Sequence, residues 1–212
     1  MASLYQLKPA FQRLLRPLVA SLARAGATPN QVTLAALAVS IASGALLATF
    51  PADRMVLLAV PIVMLLRMVL NAIDGMLARE HGMQTTFGGF LNELCDVVSD
   101  CALSLPFVLV LPQVAAWVVL LTVLAVLAEF AGVVAQALGA SRRYDGPMGK
   151  SDRAFLFGFI ALLLGVGVAP GAWCVMLVGA GCALSALTMF RRIKLGSIEI
   201  EAANKTKGGS GT

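Results

Sequence analysis

Two polar stripes interrupt otherwise apolar runs. One run closes Arg67-x3-Asn71-x2-Asp74-Gly75-x2-Ala78-Arg79, and the next opens Gly88-x3-Asn92-Glu93-x2-Asp96-x3-Asp100. Residues three and four apart share a helix face. Asn71, Asp74 and Ala78 therefore line one stripe. Asn92, Asp96 and Asp100 line another, with Glu93 on its shoulder. A short polar link joins the two runs, so the stripes can face each other. Carboxylates brought together out of water repel and are costly to desolvate. A divalent cation relieves both problems. Oxygen donors with neither His nor Cys among them suit Mg2+ or Mn2+ rather than zinc, and the candidate ligands are Asp74, Asp96, Asn71, Asn92, Glu93 and Asp100. Mg2+ typically bridges carboxylates to substrate phosphates. Gly75 and Ala78 leave room for a ligand against the helix, and Arg79 offers phosphate a fork of donors. The pattern predicts a diphosphate-bearing substrate held by metal at a membrane surface. The competing explanation is that these acids pair with Arg67 and Arg79 to glue helices together. The convergence of so many acids in apolar surroundings argues for function.

The run Asp74-Gly75-x2-Ala78-Arg79-x8-Gly88-x3-Asn92-x3-Asp96 resembles the signature of the CDP-alcohol phosphotransferases, D-x2-D-G-x2-A-R-x8-G-x3-D-x3-D, with every spacing kept. The resemblance implies a six-helix membrane core, often preceded by an interfacial helix. It implies transfer of a phosphatidyl group from a CDP-alcohol, such as CDP-diacylglycerol, to an acceptor alcohol with release of CMP. On this likeness Asp74 ligates metal, and Asp96 takes the proton from the acceptor hydroxyl. Gly75, Ala78, Arg79 and Gly88 contact the CDP moiety, with Asn30 and Thr33 nearby, because Thr28-Pro29-Asn30-x2-Thr33 also resembles the family's first span. Gly149-Lys150 resembles a pair that follows the fourth span in relatives. Lys150, Arg153 and Arg67 are then candidates for binding the acceptor, although a positive-inside anchor or helix glue explains them equally well. The family also implies a homodimer. The sequence departs from the pattern at two positions, where Asn71 and Asn92 replace the first and third aspartates. Each removes a negative charge, and Glu93 and Asp100 are the acids near enough to restore it. A catalytically silent CDP-lipid binder or scaffold is the alternative these asparagines raise. A small transporter is a third, disfavoured because the acids crowd one end of two helices. The acceptor is not specified.

The elements that must position these residues are membrane spans. The chain has 212 residues, 59% hydrophobic and 13% charged, with mean hydropathy +0.88. Soluble domains carry about 25% charged residues, so the surroundings of most of this chain should be lipid. Six stretches approach the roughly 20 apolar residues a spanning helix needs: 31–50, 55–78, 90–111, 113–138, 154–169 and 171–190. Breaks are expected at 51–54, 79–89, Pro112, 140–153 and Pro170-Gly171. Upstream, Leu4, Leu7, Phe11, Leu14, Leu15, Leu18 and Leu22 recur at helical spacing among Lys8, Arg13, Arg16 and Arg24, an amphipathic interfacial helix that Pro9 and Pro17 should kink. Thr28 should cap the first span, with Pro29 at its first turn. The division is 1–27 interfacial, 28–195 catalytic six-helix domain and 196–212 flexible cytoplasmic tail.

Placing both termini inside puts 14 of the 16 Lys and Arg on the cytoplasmic side, which supports an even number of spans. Arg142 and Arg143 read as such anchors. Glu129, deep in the fourth span, reads as a partner for Arg67 or a determinant of the acceptor pocket, with helix-helix glue explaining it equally well. His81 is the only histidine, so neither a His-based metal site nor a Ser-His-Asp triad fits. Cys95, Cys101, Cys174 and Cys182 lack metal-ligand spacing and read as small buried hydrophobes. Nothing points to nucleic acid. The compact bundle fits an inner cell membrane.

Overall fold

The computed structural model describes residues 4–208, with side chains for residues 10–205. The expectations for the side chains of Leu4, Leu7, Lys8, Pro9 and Lys207, and for the last residues of the tail, lie outside that range. The described residues form helices and no strands: α1 (Leu4–Arg24), α2 (Pro29–Thr49), α3 (Arg54–Glu80), α4 (Thr86–Ser104), the short α5 (Phe107–Val110), a 3-10 turn (Pro112–Val114), α6 (Ala115–Ala137), α7 (Lys150–Gly165) and α8 (Ala172–Gly208). The main packing pairs are α2 with α3 and α4, α3 with α7, and α6 with α8.

Helix α1 runs unbroken through Pro17, where the sequence predicts a kink or break. Its Leu15 and Val19 are buried with Val32 of α2 and Ile73, Met76 and Leu77 of α3, while Leu14 and Leu18 stay exposed. Arg16 Nε reaches Glu80 at 3.2 Å, tying α1 to the end of α3. The start of α2 is as expected. Thr28 Oγ1 accepts from the Gln31 amide at 3.3 Å, and Gln31 Oε1 accepts from the Thr28 amide at 2.9 Å, forming a capping box with Pro29 at the first turn. Midway along α2, Gly44 lies so close to the Ala102 carbonyl of α4 that any Cβ would collide with it. That approach draws the motif-bearing α4 against α2.

Four helical stretches are long and apolar enough to cross a membrane: Pro29–Thr49, Arg54–Glu80, Pro112–Ala137 and Ala172–Lys205. Two expected spans do not reach that standard alone. Helix α4 has 19 residues but carries Glu93, Asp96 and Asp100, and α7 has only 16 residues. The expected 90–111 span is broken earlier than Pro112. Pro106, which has no N–H to donate, ends the α4 ladder after Ser104 and leaves α5 as a single turn. At the other end, α8 does not give way to a tail at 196 but continues as helix to Gly208, and Glu199 on it accepts from the Ser141 amide at 2.8 Å. Large apolar side chains such as Ile62, Leu65, Phe130, Phe155 and Phe190 are more than half exposed around the outside. An apolar surface on that scale marks a partner phase, and with four spanning-length helices it identifies a membrane protein. Inside, Phe107 and Phe157 pack with their rings tilted 46° to each other and centroids 4.8 Å apart, in a core with Val60, Val118, Leu121 and Ile160.

Candidate active site

The stripes on α3 and α4 do meet. Asp74, 4% exposed, accepts from Thr33 Oγ1 of α2 at 2.9 Å and from Asn92 Nδ2 of α4 at 3.2 Å. Asp96 Oδ1 accepts from Asn71 Nδ2 of α3 at 2.8 Å, and Lys150, the first residue of α7, is ion-paired to Asp96 Oδ2. The sequence-predicted residues thus form two neighbouring triads, Thr33–Asp74–Asn92 and Asn71–Asp96–Lys150, set side by side because Asn71 and Asp74 share α3 and Asn92 and Asp96 share α4. The other nucleotide candidates lie beside it. Arg79 is folded over Gly75, where a Cβ would stand 2.8 Å from Nη2. Asn30 Oδ1 lies over Gly88, at 2.8 Å from where its Cβ would be. Ala78 lies one turn beyond Asp74 and is half-buried.

Deeper in the bundle the charges form a second layer. Arg67 donates to the Asp96 carbonyl at 3.0 Å and pairs with Asp100 at 2.6 Å. Arg153 pairs with Asp100 at 2.7 Å and Glu129 at 3.2 Å. Glu129, 3% exposed, also meets Arg142 at 3.3 Å and Arg192 at 3.1 Å. Arg142 grips Glu93 through two nitrogens, at 2.8 and 3.1 Å. Burial disfavours the Arg142 charge, but the hydrogen bonds and charge of Glu93, with Tyr144 and Glu129, outweigh it and raise its pKa. Gly132 on α6 makes room for this guanidinium, which occupies the space a Cβ would need. Glu93 and Asp100 thus direct their charge to arginines rather than toward Asp74.

Glu129 does not pair with Arg67. Its partners are Arg142, Arg153 and Arg192. Arg142, read from sequence as an anchor, has a side chain 9% exposed and belongs to this layer. Arg143 pairs with Asp145 at 2.9 Å and Glu199 at 2.7 Å, fastening the α6–α7 loop to α8. Arg192, 2% exposed, is a buried group that the sequence pattern does not single out. It donates to the Ala128 carbonyl at 2.7 Å and the Asp145 carbonyl at 3.2 Å. Its only sequence signal was a basic pair closing an apolar run, which is also what an interface anchor looks like.

The donor set fits one hard cation. No ion pair reaches Asp74 among the described residues, and its side-chain partners, Thr33 and Asn92, are neutral. A buried carboxylate without a counter-charge is unfavourable. Asp74, Asp96 and the side-chain oxygens of Asn71 and Asn92 are the hard donors Mg2+ or Mn2+ prefers, once the amides turn their oxygens inward. Among the described residues no three acids, histidines or cysteines converge as a ready metal cluster. Two of the four positions here are amides.

Residues 26–193 match the family described as CDP-alcohol phosphatidyltransferase. The chain is 48% identical over 164 residues to "Inner membrane protein YnbA" of Escherichia coli (strain K12), covering 77% of this chain and 81% of that protein. It is 36% identical over 95 residues to "Phosphatidylinositol phosphate synthase" of Mycobacterium tuberculosis (strain ATCC 25618 / H37Rv), a match that spans 45% of this chain and only 42% of that enzyme. Its fold is similar to the crystal structure of Mycobacterium tuberculosis phosphatidylinositol phosphate synthase with CDP-DAG bound, with TM-score 0.71 and 23% identity over 87% of this chain and 94% of that one. The same enzyme in complex with manganese and citrate gives TM-score 0.69 at 23% identity over 85% of this chain and 87% of that one. The family match covers the motif, the helices that carry it and the loop behind it, and the chain belongs to the CDP-alcohol phosphatidyltransferase family.

Proposed function

We propose that this protein transfers the phosphatidyl group of CDP-diacylglycerol to an acceptor alcohol, releasing CMP, with Mg2+ or Mn2+ bound by Asp74, Asp96, Asn71 and Asn92. The observation that carries the proposal is Asp74, buried without a counter-charge opposite Asp96, with Gly75, Arg79, Asn30 and Gly88 alongside. The cation, when bound, neutralises the diphosphate and eases departure of CMP. Gly75, Ala78 and Gly88 let the nucleotide lie close to α3 and α4, with Asn30 and Thr33 bordering it. Arg79 has no ion-pair partner among the described residues and is free to take a phosphate oxygen. Asp96 accepts the proton of the acceptor hydroxyl. The oxygen bonds to the distal phosphorus as the bond to the CMP phosphate breaks. Lys150 stays paired to Oδ2 of Asp96, and Oδ1, now held by the Asn71 amide, takes the proton once that amide turns away.

Six membrane crossings complete this reading, with α4–α5 and α7 as the two short ones and α1 lying in the interface. Both termini and the site then face the cytoplasm, at an inner cell membrane. A homodimer is part of the same proposal. The decisive experiment measures CMP release from CDP-diacylglycerol by purified protein in lipid, with Mg2+, Mn2+ or chelator, beside Asp96→Asn. Metal-dependent release lost in that variant supports the transferase.

One observation favours a second reading, a silent CDP-lipid binder. Asn71 and Asn92 satisfy Asp96 and Asp74 without a metal, and the remaining acids of the site are paired with Arg. Binding of CDP-diacylglycerol without CMP release under any metal would select it.

A further inference from the structure

We infer that the acceptor carries no net negative charge: it is the hydroxyl of a neutral polyol, soluble or lipid-borne, and not a phosphorylated alcohol. This rests on the transferase reading above. Apart from Arg79 on the donor side, the charged groups of the two layers are five acids, Asp74, Glu93, Asp96, Asp100 and Glu129, and five cations, Arg67, Arg142, Lys150, Arg153 and Arg192. They sum to zero. A divalent cation then matches the two charges of the donor's diphosphate, and Arg79 also lies on the donor side over Gly75.

A phosphate monoester on the acceptor would add nearly two further negative charges. Each of the five cations is already against a carboxylate. Arg67 holds Asp100 at 2.6 Å, Arg153 holds Asp100 at 2.7 Å, Arg142 holds Glu93 at 2.8 Å, and Arg192 holds Glu129 at 3.1 Å. Lys150 holds Asp96. Turning any of these guanidiniums to a phosphate leaves a buried acid unpaired. Two donors in this layer have no partner among the described residues, Arg67 Nε and Arg153 Nε. Their side chains border a cavity that Ser104 and Thr122 also line, and whose remaining wall is largely apolar, with Met64, Leu103, Leu121 and Phe157, a poor setting for a phosphate group. Single N–H and O–H groups suit hydroxyls. The layer sets specificity by leaving an anion no cation to bind.

The test uses the full chain in lipid nanodiscs with CDP-diacylglycerol and Mn2+. CMP release is followed with glycerol and inositol, with their monophosphates, and with diacylglycerol. Neutral acceptors are expected to exceed their phosphorylated counterparts by about tenfold or more. The diacylglycerol arm separates a lipid hydroxyl from a soluble one. Faster transfer to a phosphorylated acceptor overturns the inference. No release in any arm counts against the transferase reading instead, and a binding measurement still decides this one. Inorganic phosphate at millimolar concentration is added to Arg79→Ala, which removes the free guanidinium of the donor side, and the melting temperature is read. No shift is expected. In Arg79→Ala/Glu93→Gln, which leaves Arg142 only the Glu129 that Arg153 and Arg192 already share, the layer has one cation in excess and phosphate should raise it. A shift in the single variant, or none in the double, overturns the inference.

Discussion

The Asn71 side chain donates to Asp96 across α3 and α4 at 2.8 Å, and Asn92 does the same to Asp74 in the opposite direction at 3.2 Å. Each asparagine stands where the family pattern has an aspartate, and each turns a repulsion between acids into a hydrogen bond. The site can therefore close without a metal. In Asn71→Asp/Asn92→Asp, both bonds become contacts between carboxylates, and each lost bond to a charged acceptor is worth about 1.5–3 kcal/mol. The double variant should melt well below the parent in chelator and recover with Mn2+ or Mg2+, whereas the parent should respond weakly to either. Equal responses to chelation in the two proteins would show that the asparagines do not stand in for the ion.

On the proposed mechanism Asp96 is the base; it is buried and shared among the Asn71 amide, Arg67 at 3.5 Å and Lys150. Asp96→Asn keeps an acceptor for Asn71 but cannot take a proton. CMP release should fall by about 10²–10⁴-fold, with CDP-diacylglycerol binding retained. The check is turnover alongside equilibrium binding of the donor. Turnover that persists in Asp96→Asn would move the base to another group.

Glu129 holds three arginines together at the junction of α6, α7, α8 and the α6–α7 loop. Removing it leaves those charges buried with less compensation. Loss of one partner of a buried pair costs about 3–5 kcal/mol. Glu129→Ala should be strongly destabilised in detergent unfolding, and Glu129→Asp less so. A Glu129→Ala protein that unfolds with the parent would mean the arginines are satisfied by the Asp145 and Ala128 carbonyls and their other acids.

The half of the site on α3 and α4 was legible because helical periodicity alone puts Asn71 with Asp74 and Asn92 with Asp96, and the short link brings the two helices together. The layer behind it was less legible. Arg142 and Arg192 are basic residues at the ends of apolar runs, a pattern that serves equally for a headgroup anchor. Only the packing of α6 on α8, and the missing side chain at Gly132, decide that they turn inward. Spans were harder for a related reason. Hydropathy runs straight from 90 to 111, and Pro106 and Pro112 are both candidates to end it. The chain stops α4 ahead of Pro106 and uses Pro112 to start a 3-10 turn.

Arg79 is the last element to test, because its position separates binding from folding. It is exposed, folds back over Gly75 one turn before it, and takes part in no ion pair among the described residues. Losing it should not move the melting temperature. Losing a charge-assisted bond to the donor's diphosphate should raise KM for CDP-diacylglycerol by about 10–100-fold. Arg79→Lys should recover only part of that, since an ammonium keeps the charge without the planar fork. Gly75→Ala should give a similar KM defect, because its Cβ would push the guanidinium off its perch on α3. Kinetics of the three variants, with a thermal melt for each, decide the matter. An unchanged KM in Arg79→Ala would remove this residue from the nucleotide site.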